Sequence, residues 1–372
     1  MDTRTRTGSD REDIETVIIG AGQAGLAVGQ QLTERGRPFV ILEAAERIGD
    51  NWRRHYDSLK LYNPAKLCSL PGLAFPGDGD RYPKRDEVAA YLEDYAVAFD
   101  LPVRTGTRVQ RVRQEGRRYV VTVGDRELVA DNVVVATGTF GGPYTPSFAD
   151  ELDPRIRQLH SSEYKNPSQL QPGPVLVVGA SHSGADVAHE LGPLHQTVLV
   201  GRDTGQMPFD IESPMSRFLW PVLSFVARRV LTIKTPIGRK ARSKIRAHGG
   251  PLIRYKNAHL EEAGVERAGV RVTGVRDGLP VVDDERILDV ANVIWATGFR
   301  QDFSWIELPV TGEDGWPREE RGIVADAPGL YFVGLAFQYA FGSMLFVGVG
   351  QDAAYVAEHL AGRSAATSPA VA

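Results

Sequence analysis

Residues 15–43 read ETVIIGAGQAGLAVGQQLTERGRPFVILE, and this stretch decides the fold. A β-branched run over 15–19 meets a glycine turn, a helical pattern follows over 23–35, and a second apolar run occupies 38–42. Strand, glycine turn, helix and strand make half of a βαβ unit. The turn is Gly20-Ala21-Gly22-Gln23-Ala24-Gly25, with GxGxxG spacing. Glycines here permit a tight turn and let backbone approach a pyrophosphate closely, while the helix N-terminus offers unpaired N–H groups to the phosphate charge. Glu43, ending the next strand, is placed to accept ribose hydroxyls. A lone GxGxxG is weak; strand, helix and acid together disfavour a merely structural turn.

The pattern occurs twice. Residues 175–202 read VLVVGASHSGADVAHELGPLHQTVLVGR: a strand over 175–178, the turn Gly179-Ala180-Ser181-His182-Ser183-Gly184, a helix over 184–191 and a strand over 197–200. Ser181 replaces the middle glycine, and its hydroxyl is expected to donate to phosphate. Arg202 stands where Glu43 stands in the first unit, 23 residues after the opening glycine in both. A carboxylate there repels a 2′-phosphate, whereas a guanidinium clamps it. The pair points to FAD at the first turn and NADPH at the second. Read blandly, Arg202 is a solvated strand-end arginine, and NADH serves equally well.

The chain of 372 residues is long enough for two domains, and its composition is that of a globular enzyme. A net charge of −4 gives no general attraction to nucleic acid. No stretch reaches the roughly 18 apolar residues of a membrane span, and the N-terminus lacks a signal-peptide core, so a cytoplasmic protein without stable membrane insertion is expected. The one cysteine, Cys68, excludes an intrachain dithiol redox centre. No metal site is expected, and a homodimer is left open.

The expected fold class is α/β, with two Rossmann-like, three-layer dinucleotide-binding domains. Residues 1–13 and 363–372 read as loose tails. Residues 14–155 with 290–362 form the FAD-binding domain, made discontinuous by a last strand over 330–333 and a helix over 343–360. Residues 156–289 form the NADPH-binding domain. Within the first domain, Val88, Leu92, Tyr95 and Phe99 share one face of a helix over 85–99. Three β-rich runs, 107–112, 119–123 and 127–135, read as a small antiparallel insertion. Residues 207–255 follow no Rossmann pattern. An apolar block broken by Pro221 precedes a basic block with Lys234, Arg239, Lys240, Arg242, Lys244 and Arg246. This insert reads as a helical lid, as a weak contact with an anionic membrane, or as a packed helical pair with a solvated face.

Further motifs carry a family resemblance over nearly the whole chain. They are Gly49-Asp50-Asn51-Trp52, Leu61-Tyr62-Asn63-Pro64-Ala65-Lys66, the twin Ala136-Thr137-Gly138 and Ala296-Thr297-Gly298, His160-Ser161-Ser162-Glu163-Tyr164-Lys165, and Pro328-Gly329-Leu330-Tyr331-Phe332-Val333-Gly334. With them the sequence resembles the class B flavin-containing monooxygenases, including the plant auxin-forming, YUCCA-like branch. The resemblance implies that Trp52 lies near the flavin and that Asn63 faces it. It implies that Thr137, Gly138, Thr297 and Gly298 line the cofactor path, and that Gly334 and Ser343 belong to the C-terminal FAD segment. The histidine motif matches half of the family fingerprint FxGxxxHxxxF/Y; Pro154 and Ile156 stand where Phe and Gly belong. Tyr164 in place of tryptophan favours the heteroatom-oxidising or auxin-forming branch over Baeyer–Villiger enzymes. His160 and Ser162 are then expected to shape the nicotinamide side, although a loop histidine satisfied by backbone is the bland alternative.

The implied activity is an NADPH-consuming monooxygenase that inserts one atom of O2 into a small organic substrate through a C4a-hydroperoxyflavin. Asn63 and retained NADP+ would hydrogen-bond that intermediate. Two rivals stay open: an NADPH-dependent flavoprotein reductase or oxidase, and a non-catalytic FAD-binding redox sensor.

Overall fold

The computed structural model describes residues 10–247 and 249–367. The first sheet runs in the order Val103–Arg104, Phe39–Leu42, Asp10–Ile19, Arg126–Val135, Arg118–Val123, Arg111–Glu115. Its strands alternate sides: Ile18 enters one core with Leu26, Val88 and Val356, while Val17 and Ile19 enter another with Val121, Phe303 and Leu330. Both faces of the sheet are therefore covered, as three-layer packing requires. Helix Gln23–Glu34 packs against the final helix, Phe346–Thr367.

The ten-residue strand Arg126–Val135 organises this domain. One edge pairs in parallel with Asp10–Ile19 along its whole length. The other edge is shared: residues 126–130 take the antiparallel strand Arg118–Val123, and Val133–Val135 take the returning strand Leu330–Phe332 in parallel. The antiparallel run is thus an extension of the main sheet, and its third strand belongs to the parallel core.

The second sheet is wholly parallel, ordered Val265–Ala268, Thr197–Val200, Val175–Val178, Asn292–Trp295, Arg157–His160. Val175 and Val177 face one core, and Leu176 and Val178 the other.

Three expected boundaries change. Asn292–Trp295 sits between Val175–Val178 and Arg157–His160, so the first domain resumes only after it and not at 290. The N-terminal tail is shorter, because Asp10–Asp13 pair with Arg126–Val129. The final helix runs to Thr367, past the expected start of the C-terminal tail at 363. The remainder of both expected tails, 1–9 and 368–372, lies outside the described residues. The insert holds helix Ser216–Phe225, a wide turn Val226–Val230 and helix Pro236–Ala247.

Candidate functional site

Each glycine turn is built by backbone crowding. In the first, a methyl group on Gly25 would lie 1.9 Å from the Gly20 carbonyl oxygen, and one on Gly20 would lie 2.8 Å from that of Ala136. In the second, Gly184 would place a methyl 1.8 Å from the Gly179 carbonyl oxygen, and Gly179 one 2.2 Å from that of Ala296. These four glycines let helix and strand touch. By contrast, a methyl on Gly22, Gly138 or Gly298 meets nothing within 4 Å. Those three border space the protein leaves free, beside the first-turn amides of helix Gln23–Glu34 in the case of Gly22. The first cradle therefore fits a pyrophosphate approached by backbone, as FAD requires.

Glu43 closes the first turn. Its carboxylate accepts from the Ala21 amide at 2.7 Å and the Ala45 amide at 2.9 Å, which holds the acid at the loop. Gln23 donates to the Met344 carbonyl at 3.3 Å, tying the cradle to the C-terminal segment. Gly334 adopts φ +88° and approaches so closely that an added methyl would lie 2.7 Å from the Ala24 Cβ. Trp52 packs near His55 and Phe346, with ring centroids 5.7 and 6.2 Å apart. Ser343 turns into its own loop, accepting from the Tyr339 and Ala340 amides at 3.0 Å. Its hydroxyl caps a turn by accepting these two amides.

The second cradle is covered by the chain itself. Ser181 donates to the Gly250 carbonyl at 2.9 Å, and the His182 Nε2 lies 2.7 Å from the Pro251 carbonyl oxygen. The Ser181 hydroxyl, expected to serve a phosphate, is here engaged by the loop. Ser183 stands half-buried in the first turn of the same helix, His182–Leu191. Arg202 is exposed at the end of Thr197–Val200 and has no hydrogen-bond or ion-pair partner among the described residues. An unpaired guanidinium at that register fits a 2′-phosphate.

The two Ala-Thr-Gly turns differ in exposure. Thr137 is exposed beside Gly138, whereas Thr297 donates to the Tyr144 carbonyl. His160 ends its strand buried against the second turn. Its Nε2 lies 3.1 Å from the Gly298 carbonyl oxygen, and its Nδ1 lies 2.8 Å from the Ser162 hydroxyl. A carbonyl only accepts, so Nε2 carries the proton and Nδ1 accepts from Ser162. Burial lowers the imidazole pKa, partly opposed by the Gly298 bond. The structure thus brings His160, Ser162 and Gly298 together as a neutral clasp, in which the histidine is satisfied by the serine as well as by backbone. Tyr164 is buried and donates to Glu190 at 2.7 Å.

Asn63 is half-buried, and its side-chain amide has no partner among the described residues. No hydrogen bond joins it to His160 or Ser162. What surrounds it was not legible in the motifs. Tyr62 and Tyr56 both donate to one oxygen of Asp186 at 2.8 Å, and Asp186 belongs to the second cradle's helix. Arg254 donates to the Lys60 and Leu61 carbonyls at 2.9 and 2.8 Å. Burial raises Asp186 to about 6, with the two tyrosine bonds pulling it back. Burial and the neighbouring carboxylate push both tyrosines well up, so they keep their protons and donate. The segment carrying Asn63 is therefore fastened to the second cradle. Cys68 lies below it, fully buried, with its thiol pushed up to about 12 by burial.

Residues 17–234 match the pyridine nucleotide-disulphide oxidoreductase family. The chain belongs to this family. Within it, the chain is 41% identical over 345 residues to an uncharacterised oxidoreductase, CzcO-like, of Geobacillus kaustophilus, covering 92% of this chain and 97% of that one. It is 31% identical over 392 residues to a probable indole-3-pyruvate monooxygenase, YUCCA3, of Arabidopsis thaliana, covering 93% and 86%. Its structure superposes on a flavin-containing monooxygenase from Stenotrophomonas maltophilia with a TM-score of 0.73 at 27% identity, covering 95% and 99%. The protein is thus an oxidoreductase of the class B flavin-containing monooxygenase type, with the FAD- and NADP-binding fold that the twin cradles foretell. Its single cysteine, Cys68, is buried, so the chain forms no intrachain dithiol.

Proposed function

We propose that the protein is an FAD-dependent, NADPH-consuming monooxygenase that inserts one oxygen atom of O2 into a small organic substrate. The observation that carries this reading is the presence of two dinucleotide cradles in a chain whose only thiol is buried and holds its proton. Electrons collected at the second cradle have no dithiol within the chain to reduce, and this reading gives them O2 as their acceptor. Kinship with a probable indole-3-pyruvate monooxygenase over 93% of the chain supports the same reading.

FAD, when bound, supplies hydride acceptance and the subsequent chemistry with O2. The chain's residues do the rest. Gly20, Gly22, Gly25 and Glu43 would hold the flavin nucleotide, while Gly179, Ser183, Gly184 and Arg202 would hold NADPH, joined by Ser181 where its hydroxyl leaves the Gly250 carbonyl. Asn63 would offer its unpartnered amide to the flavin. The His160–Ser162 clasp fixes the Gly298 turn along the nicotinamide path, acting as a positioning pair. The Tyr56–Tyr62–Asp186 contact keeps the two domains in register and helps exclude water from the seam between them.

The test uses the yellow holoprotein with NADPH, 18O2 and a panel of amines, sulfides, ketones and 2-oxo acids. Incorporation of one labelled atom into a product, with hydrogen peroxide falling as product rises, supports the monooxygenase. Peroxide equal to NADPH consumed with every substrate class would mark an oxidase. Asn63→Ala should leave reduction by NADPH intact and raise peroxide release; unchanged release removes Asn63 from the oxygen step.

A further inference from the structure

The insert carries ten Lys and Arg against two Asp and Glu between 207 and 255, on a chain whose net charge is −4. The same segment holds most of the large apolar side chains that the described protein leaves to solvent. Met215, Phe218, Val222 and Phe225 are 66%, 80%, 60% and 57% exposed, and their spacing of three and four residues puts them on one helical face. Trp220, Ser224 and Ala227 point the other way, into the protein, where Trp220 donates to Tyr82 at 3.0 Å. Arg229 continues the outer face one turn on. In helix Pro236–Ala247, Ile237, 61% exposed, shares a face with exposed Lys240 and Lys244, while Arg242 and Arg246 reach the buried Glu319 on the opposite side.

Of the exposed cations, Arg217 lies 3.5 Å from Asp80, and Arg239 donates to the Ile233 and Lys234 carbonyls. Arg229, Lys234, Lys240 and Lys244 have no acidic partner among the described residues. Outward faces that mix large apolar groups with unpaired cations are poorly suited to water alone. They suit a surface that is apolar at depth and anionic at its face.

We propose that residues 215–244 form a peripheral docking surface for anionic phospholipid, with Met215, Phe218, Val222, Phe225 and Ile237 entering the acyl boundary and the free cations meeting headgroup phosphates. Charge complementarity selects this occupant. A second copy seated on the same ridge by two-fold symmetry would set the basic insert against itself. The docking is peripheral, since no described helix is long and apolar enough to cross a membrane. It also bears on delivery. Residues 231–233, between the two helices, hydrogen-bond to Tyr339 and Phe341, which lie between Gly334 and Ser343 in the C-terminal segment. A docked insert would hold the site beside a membrane, where apolar substrates concentrate.

The experiment is co-sedimentation of the holoprotein with vesicles of phosphatidylcholine alone and of phosphatidylcholine mixed with phosphatidylglycerol, alongside its sedimentation state without lipid. The holoprotein should bind the mixed vesicles only, and added salt should release it. Phe218→Ser with Phe225→Ser should abolish binding. Lys240→Ser with Lys244→Ser should weaken it roughly twenty-fivefold, at about a factor of five per lost cation. Both double variants should keep wild-type flavin content and melting temperature, because the altered side chains are exposed. Absence of binding to mixed vesicles overturns the proposal. So does binding that the serine variants leave unchanged, or a lipid-free dimer that Phe218→Ser with Phe225→Ser dissociates, which would make a second copy the occupant.

Discussion

The two glycine turns share a backbone and differ in what closes them. In both, the first and last glycines meet carbonyl oxygens at distances no side chain tolerates. Around that common frame the first turn is held by Glu43 through the Ala21 amide, and Gly22 faces free space. Over the second turn lies the 249–251 loop, with the Gly250 and Pro251 carbonyls directed at Ser181 and His182 near the helix N-terminus. Carbonyl oxygens there carry the partial negative charge that a helix N-terminus favours. Helix–strand packing thus sets the glycines, while the closing groups differ, a carboxylate at the first turn and a loop's carbonyls at the second.

The largest predicted effect tests the shared frame. Gly25→Ala and Gly184→Ala should each destabilise the protein by about 3 kcal/mol or more, because backbone rather than a flexible side chain must yield. Gly22→Ala should leave urea unfolding nearly unchanged while lowering bound flavin, read from the visible-to-protein absorbance ratio. If Gly22→Ala proves as destabilising as Gly25→Ala, then Gly22 serves packing and not a ligand.

Next in size is the contact joining the second cradle to the first domain. Asp186 is raised by burial to about 6, above its unfolded value of about 3.9. Its folded form therefore binds a proton more readily than its unfolded form. The stability it contributes is complete below about pH 4 and lost as pH rises through 6, a difference of up to about 3 kcal/mol. Asp186→Asn keeps an acceptor for the tyrosines and removes the titration. Relative to the wild type, it should gain stability at pH 7 compared with pH 4, measured by urea unfolding at both. Asp352, raised by burial to about 6, keeps part of the slope in the variant. Equal pH dependence in the two proteins would show that Asp186 does not titrate in this window.

What the sequence disclosed follows the same division. The glycine turns, Glu43 and Arg202 were legible because local spacing determines them. By sequence, Asn292–Trp295 reads as part of the first domain, because an apolar strand followed by Ala-Thr-Gly looks alike in both; only pairing across the sheet places it in the second. Asp10–Asp13 read as tail because they are charged, yet the long strand Arg126–Val135 supplies their backbone partners, and Arg11, Glu12 and Asp13 find ion pairs in Glu127, Arg104 and Arg118. Asp186 gave one signal, a lone acid among Ala185, Val187 and Ala188 in a helix turn buried on all sides. Its tyrosine partners, 130 and 124 residues away, gave none. Contacts between distant segments, including Ser181 with Gly250, carry no local pattern.

Arg202 sharpens the comparison with Glu43 at smaller scale. Arg202→Ala should raise the KM for NADPH by ten- to a hundredfold, the range of a charge-assisted phosphate contact. The KM for NADH should hardly move. Equal increases for both nucleotides would assign the guanidinium a general rather than a 2′-phosphate role.

The smallest effect is decided by its sign. Ser181 has two incompatible uses: donating to the Gly250 carbonyl, as the structure shows, or donating to a phosphate, as its place in the turn suggests. Ser181→Ala removes one partly buried hydrogen bond, so stability should change by less than about 1 kcal/mol, with the His182–Pro251 contact still in place. If breaking the Gly250 bond precedes nucleotide entry, the variant should lower the KM for NADPH and NADH alike by a few-fold, because the cover withdraws more readily. A few-fold rise for both nucleotides would mean that the hydroxyl leaves Gly250 for the pyrophosphate and that the bond seen here is a resting contact. Measuring both nucleotides separates either outcome from the Arg202 effect, which acts on the 2′-phosphate alone.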